Sequence, residues 1–185
     1  MKAWQHFKTI TRHRWLVRQG CFKVGLYWQG LTHDLSKYSP TEFWVGAKYY
    51  QGNCSPNAIE RQEKGYSAAW IHHKGRNQHH WEYWTDLDMS IGRYVPVPMP
   101  RKCLAEMVMD RRAACMVYQR DQYTDASALE YLQKGIERTR MHPQTQRELE
   151  YILTMLRDEG EEKTFRYIKE VVLKDKPFPW EMEEQ

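Results

Sequence analysis

The stretch Gly30-Leu-Thr-His-Asp-Leu-Ser-Lys-Tyr-Ser-Pro-Thr-Glu-Phe43 decides how this chain is read. Ser39-Pro40-Thr41-Glu42 is a capping box with proline at the first helical position, so a helix begins there and runs to about Tyr50. Upstream, Trp4 to Trp28 reads as one helix or two, with Gly20 and Gly25 as weak points. His33 and Asp34 therefore stand at a corner between helices. An adjacent His-Asp pair can offer both side chains to one metal ion where a helix frays into a loop. Lys37, three residues on, points a cation back over the same turn. Read alone, such a pair is more often a helix-end cap beside a polar surface residue. The rest of the chain has to supply partners for it.

Outward from that corner, helix signals dominate and strand alternation is nearly absent. Ser55-Pro56 repeats the cap-plus-proline signal and predicts a helix ending near Ile71. Gly75 and the polar run after it make His72-His-Lys-Gly-Arg-Asn-Gln-His-His80 a loop or a broken helix. Val95-Pro-Val-Pro-Met-Pro100 excludes regular helix and reads as an extended connector. A long helix follows from about Arg101 to Gln119. Leu129, Leu132 and Ile136 share one face, as do Leu149, Ile152, Leu153 and Leu156, whose helix starts at Pro143. Gly160 breaks the chain before Glu161 to Lys174, with its stripe of Phe165, Ile168 and Val172. Pro177 to Gln185 reads as an irregular tail. The expectation is one all-α helical bundle over residues 1–185. Its metal-site core lies at about 10–120, structural helices at about 121–175, and a tail at 176–185.

Partners for the His-Asp pair are present. His13 lies in the first helical stretch, the doubled histidines at 72/73 and 79/80 follow, and Asp110 sits on the long helix. Glu106, Asp110, Ala113 and Val117 share a face there, so two carboxylates point into apolar surroundings. An inward carboxylate is costly unless it meets a cation or donors. The plain alternative for Asp110 is an ion pair with Arg101, Arg111 or Arg112. Glu106 suits a role beside the ligands, orienting a histidine or a water. Adjacent side chains rarely reach one ion together, so one histidine of each doublet is expected to ligate, His73 and His80. Lys74, Arg76 and Asn77 are placed to receive phosphate oxygens, or form a solvated loop. Trp81, Tyr83 and Trp84 either wall a pocket or anchor that loop to the core.

Composition narrows the class. A chain of 185 residues buries a core without disulfides. Cys21, Cys54, Cys103 and Cys115 show no C-x-x-C spacing, which fits reduced thiols in a cytoplasm. The N-terminus lacks the apolar core of a signal peptide, and no stretch has the length of an apolar membrane span. A formal charge of +4 speaks against nucleic acid as a main ligand and suits an anionic small molecule.

The quoted stretch resembles a group of bacterial and phage proteins known as a domain of unknown function. So do Ala69-Trp-Ile-His-His-Lys-Gly-Arg-Asn-Gln-His-His-Trp-Glu-Tyr-Trp84 and Glu106-Met-Val-Met-Asp-Arg111. The order His13, His33-Asp34, extra histidines, Asp110 is also similar to the HD superfamily of metal-dependent phosphohydrolases, with Ser36 where glycine is usual. That resemblance implies a helical site holding one or two divalent ions (Fe, Mn, Co, Ni or Zn). His13, His33, Asp34 and Asp110 would hold the first, His73 and His80 would complete a second, and Asp34 would bridge. Lys37 and Arg76 would clamp a small phosphate ester. Similar frames also hold di-iron oxygenases, and a non-catalytic nucleotide-binding, metal-binding or host-interaction module is the third possibility. The sequence is compatible with a homo-oligomer.

Overall fold

The computed structural model describes residues 1–135 and 140–183. Ile136, expected on one face with Leu129 and Leu132, lies outside them. The described chain is predominantly α-helical. Helix α1 (Lys2–Val24) ends at Gly25, whose φ of 92° makes the left-handed C-cap that glycine adopts without a Cβ clash. Helix α2 (Tyr27–Thr32) leads to the corner and a 3₁₀ turn (Leu35–Tyr38). Helix α3 (Pro40–Lys48) starts where the capping box predicts, with the Ser39 hydroxyl accepting from the Glu42 amide.

The single helix expected from Ser55 to Ile71 is two. Helix α4 (Pro56–Lys64) stops at Gly65 with φ 80°, and α5 (Ala68–Lys74) starts on Ser67, whose hydroxyl accepts from the Trp70 amide. His72 and His73 therefore ride on a helix and not on a loop. A 3₁₀ turn (Trp81–Tyr83) precedes two short strands, β1 (Thr85–Asp88) and β2 (Arg93–Pro96), paired antiparallel with Thr85 opposite Pro96. This small hairpin is an addition to the all-α fold that the sequence predicts. The extended connector gives only Val95 and Pro96 to β2; Pro96 closes the strand, where no further ladder donor is needed, and Pro98 and Pro100 lie beyond it.

Helix α6 (Arg101–Gln119) is the central rod, with Leu104, Ala105, Val108, Met109 and Ala113 at or near zero exposure. It packs along α1, and α7 (Ser127–Gly135) and α8 (Pro143–Glu170) close over its other side. At Gly160 the backbone leaves helical geometry (φ 77°, ψ 176°), so α8 is two helices meeting at a kink where the break was expected. Leu149, Ile152, Leu153, Leu156 and Ile168 fill that half of the core. Each such buried side chain contributes about 1.5–3 kcal/mol relative to exposure. The C-terminal segment is not an irregular tail. Phe178 is fully buried, helix α9 (Pro179–Glu183) follows it, and Glu181 receives the Arg101 guanidinium. Among the described residues no helix is long and apolar enough to cross a membrane.

Candidate metal centre

The centre is built at the corner after α2. His33 leaves the helix in extended backbone and Asp34 takes the left-handed conformation at φ 53°. Aspartate is one of the few non-glycine residues that visits this region routinely. Together these dihedrals turn two neighbouring side chains inward. Arg14 of α1 pins the corner by donating to the carbonyls of His33 (2.7 Å) and Leu31 (3.1 Å). Asp34 is fully buried and His33 nearly so.

Side chains from α1, α5, α6 and the segment after α5 converge on Asp34. Its Oδ2 lies 3.5 Å from His13 Nε2 and 3.4 Å from His33 Nε2. Asp110 Oδ1 completes that group, 2.9 Å from His13 Nε2 and 3.5 Å from His33 Nε2. The other oxygen, Oδ1, lies 3.2 Å from His73 Nε2 and 3.4 Å from His79 Nε2. His80 joins this second group, its ring 4.2 Å from that of His79 and 4.8 Å from that of His73. Within each group the candidate ligand atoms lie within 4.8 Å of one another. Asp34 thus belongs to both, with one oxygen turned to each.

What these atoms lack is as informative as where they sit. Nε2 of His13, His33, His73, His79 and His80, and Oδ1 of Asp34, are buried without a hydrogen-bond partner among the described residues. Leaving one such atom unsatisfied costs about 1–3 kcal/mol. Native proteins carry only a few of them per hundred residues. Six such atoms gathered in the two groups around Asp34 fit bound cations, which would supply what the protein withholds.

The far side of the imidazoles is satisfied. His33 Nδ1 donates to Glu106 Oε1 (2.8 Å), and His79 Nδ1 lies 3.1 Å from the same oxygen. His73 Nδ1 donates to Glu42 Oε2 (2.8 Å). A carboxylate on one ring nitrogen fixes the tautomer and leaves the lone pair of the other for a metal. Ser36 and Asn77 brace the arrangement. The Asn77 amide donates to the His73 carbonyl (2.7 Å) and to the Ser36 hydroxyl (3.0 Å), which sits 3.2 Å from His73 Nδ1.

The electrostatics favour a cation. Burial pulls the His33 pKa down, but Asp34, Asp110 and Glu106 outweigh it and hold it well above the usual imidazole range. His73 is raised against burial by Asp34 and Glu42. Burial would raise Asp34, yet His33, Lys37 and His73 hold it well below the carboxylate range. Asp110 is likewise held low against burial, by His13 and His33. His80 behaves oppositely, pushed well below the imidazole range by burial and by His79 and His73. A carboxylate-rich pocket thus holds protons on some histidines and presents His80 as a neutral ligand.

All six expected ligands, His13, His33, Asp34, His73, His80 and Asp110, fall in this cluster. Lys37 reaches Asp34 Oδ2 (2.6 Å) with 27% of its side chain exposed, at the rim. Glu106 stands behind the ligands, as its helix face predicts. The rim residues fare differently. Asn77 is engaged in the bracing described above, and the exposed Arg76 donates to the His72 carbonyl (3.2 Å). Among the described residues no hydrogen bond or ion pair joins the side chains of Lys74 or Arg76 to the cluster. Trp81 and Trp84 pack against the hydrophobic core.

Sequence reasoning missed three contributors. His79 enters together with His80, because the 3₁₀ turn after His80 folds both doublet members back. Glu42 was legible only as a capping residue, yet its carboxylate also takes His72 Nδ1 at 2.6 Å. Trp70, three residues before His73, lays its ring against His80 at 4.6 Å. Among the described residues no ion pair within 4 Å joins Asp110 to Arg101, Arg111 or Arg112: Arg112 pairs with Glu161 of α8 and Arg101 with Glu148 and Glu181.

No curated protein and no solved structure matches the chain. A family model does match, over residues 2–155, and that span contains every member of the cluster. The chain belongs to that family, described as a family of unknown function (DUF5662).

Proposed function

We propose that this protein is a metal-dependent phosphohydrolase acting on a small phosphate ester, with two divalent ions sharing Asp34. The observation that carries the reading is the division of Asp34, one carboxylate oxygen facing each group of unpartnered histidine nitrogens. His13, His33, Asp34 and Asp110 would hold one ion, and Asp34, His73, His79 and His80 the other. The order of these residues along the chain resembles that of the HD superfamily, which supports the same chemistry. Bound ions supply an activated water at neutral pH and polarise a phosphoryl oxygen.

The chain's own residues do the rest. Glu106 and Glu42 hold His33, His79 and His73 in one tautomer and orientation. Lys37 offers an ammonium at the rim, where it can meet phosphate charge. Burial of the cluster keeps bulk water from the other faces of the ligands. The donor set with three histidines also suits ferrous iron, which makes a di-iron oxygenase the second reading.

Elemental analysis of protein purified without chelator, followed by a screen of phosphomonoesters, phosphodiesters and nucleotides, tests the proposal. About two equivalents of metal, and phosphate release that disappears in folded Asp34→Ala protein, are expected. Full activity in that variant sinks the mechanism. Oxygen uptake with ferrous iron, without phosphate release, moves the assignment to the oxygenase.

A further inference from the structure

The cations of this chain are unevenly placed. Residues 1–33 contain six of its 28 Lys and Arg and none of its 24 Asp and Glu. Helix α1 gives its inner face to the core and the metal cluster through His6, Ile10, His13, Leu16, Val17 and Cys21. Its outer face carries Trp4, Lys8, Thr11, Trp15, Arg18 and Phe22. Alternating steps of four and three residues put these six on one line down the helix. At 1.5 Å per residue that line is about 27 Å long.

Along it, rings and cations alternate in contact. Lys8 Nζ lies 5.7 Å from the centre of the Trp4 ring, and the Arg18 guanidinium 5.7 Å from that of Phe22. Trp4 and Trp15 are 62% and 51% exposed. Helix α2 extends the line with exposed Tyr27, edge-on to Phe22 at 5.3 Å, and with Trp28. Lys23 pairs with Glu161 and Arg14 with the His33 corner, while Lys2, Lys8, Arg12 and Arg18 face solvent. A branch runs toward the metal cluster. Phe7 stacks on Trp4 (5.5 Å) and meets Tyr38 edge-on (5.9 Å), and Tyr38 is the neighbour of Lys37.

Large rings exposed in a row call for a partner. The complement of alternating rings and cations is a polymer that alternates flat apolar faces with negative charges. We propose that the outer face of α1 and α2 binds single-stranded nucleic acid. Bases stack on Trp4, Trp15, Phe22 and Trp28, while phosphates meet Lys8, Arg12 and Arg18. A duplex hides its base faces inside the stack. An anionic bilayer fits a helix with rings on one line and cations along its flanks, whereas here Lys8 and Arg18 lie in line with the rings. None of these residues belongs to the metal cluster, so the inference stands apart from the hydrolase reading.

The test is fluorescence anisotropy of a labelled oligothymidylate of about 20 nucleotides, in EDTA so that metal chemistry plays no part. Binding is expected to weaken roughly 20-fold between about 50 and 200 mM salt, the slope for about three phosphates on a single strand. Trp15→Ala and Arg18→Glu are each expected to weaken it by about tenfold, with circular dichroism and metal content unchanged. No binding at tens of micromolar protein overturns the proposal. Equal affinity for a duplex, or variants that bind normally, overturns it as well. Binding to phosphatidylserine vesicles without binding to the oligonucleotide assigns the face to a lipid surface instead.

Discussion

Asp34 holds a left-handed backbone at φ 53° while fully buried, and each of its oxygens faces a different set of histidines. The pair His33-Asp34, which alone reads as a helix-end cap, was legible in the sequence because His13, the doubled histidines and Asp110 offer it partners. A bridging place for Asp34 was expected as well, but only the structure shows which of its oxygens faces which histidines. Glu106 shows the same limit: its helix face was readable, its double contact with His33 and His79 was not. Replacing it by glutamine keeps the shape but swaps a charged acceptor for a neutral one behind two imidazoles. We expect Glu106→Gln to lower metal affinity about 10–100-fold with the fold intact, measured by competition against a chromophoric chelator. An unchanged affinity would show that Glu106 merely fills space. The protonation of His33 and His73 leads to a second expectation. Both are held above the ordinary imidazole range without metal, and both must be neutral to ligate. The metal-free protein therefore binds more protons than the loaded one. Metal affinity falls as pH drops through that elevated range and strengthens as pH rises. Calorimetry in buffers of different ionisation enthalpy should show up to two protons released on binding, and a buffer-independent heat would refute this.

At the scale of elements, local signals with a single cause were read correctly, and signals needing two residues to be weighed together were not. Ser39-Pro40 starts α3 because a hydroxyl cap and a fixed φ act on the same turn. Gly65 and Ser67 act two residues apart, one stopping α4 and the other capping α5. Reading through them left the first histidine doublet on a loop or a broken helix, although α5 is what aims His73 at Asp34. Packing between elements was less visible still. His6 lies two turns before His13 on the buried face of α1, against Gly46 of α3. A Cβ at Gly46 would stand 2.3 Å from His6 Nε2. The imidazole is enclosed by Phe43 and Tyr50, and burial, aided by Lys37, pushes its pKa down to about 4. With the ring so confined, α1 and α3 must separate to admit a methyl group. Gly46→Ala is expected to cost about 1–3 kcal/mol in urea unfolding. An unaltered midpoint would mean that His6 swings aside freely.

For the whole molecule, averages concealed what mattered. The formal charge of +4 gave no hint that the charged residues of α1 and α2 are all basic while the rest of the chain is slightly acidic. Nor did a Pro-rich, acidic terminus foretell Phe178, at zero exposure, packed on Trp180 at 4.8 Å. The tertiary context of Arg101, Glu148 and Glu181 decides that segment. The metal cluster has the same global character, because its ligands come from α1, the corner after α2, α5, the segment beyond it and α6. An unfolded chain cannot hold them together, so any ion bound in the cluster stabilises the folded state alone. At a free metal concentration about 100 times the dissociation constant, one ion contributes about 2.7 kcal/mol. In a chain of this size each kcal/mol moves the melting temperature by about 2–4 °C. Each ion bound should therefore raise the melting temperature roughly 5–10 °C above that of protein stripped by chelator. Asp34→Asn should melt at one temperature with or without metal, because the residue shared by both groups has lost its charge. Calorimetric scans of the four samples decide the matter. A wild-type melting temperature indifferent to Mn, Fe, Co, Ni and Zn would show that the unpartnered nitrogens around Asp34 are met by something other than a metal ion.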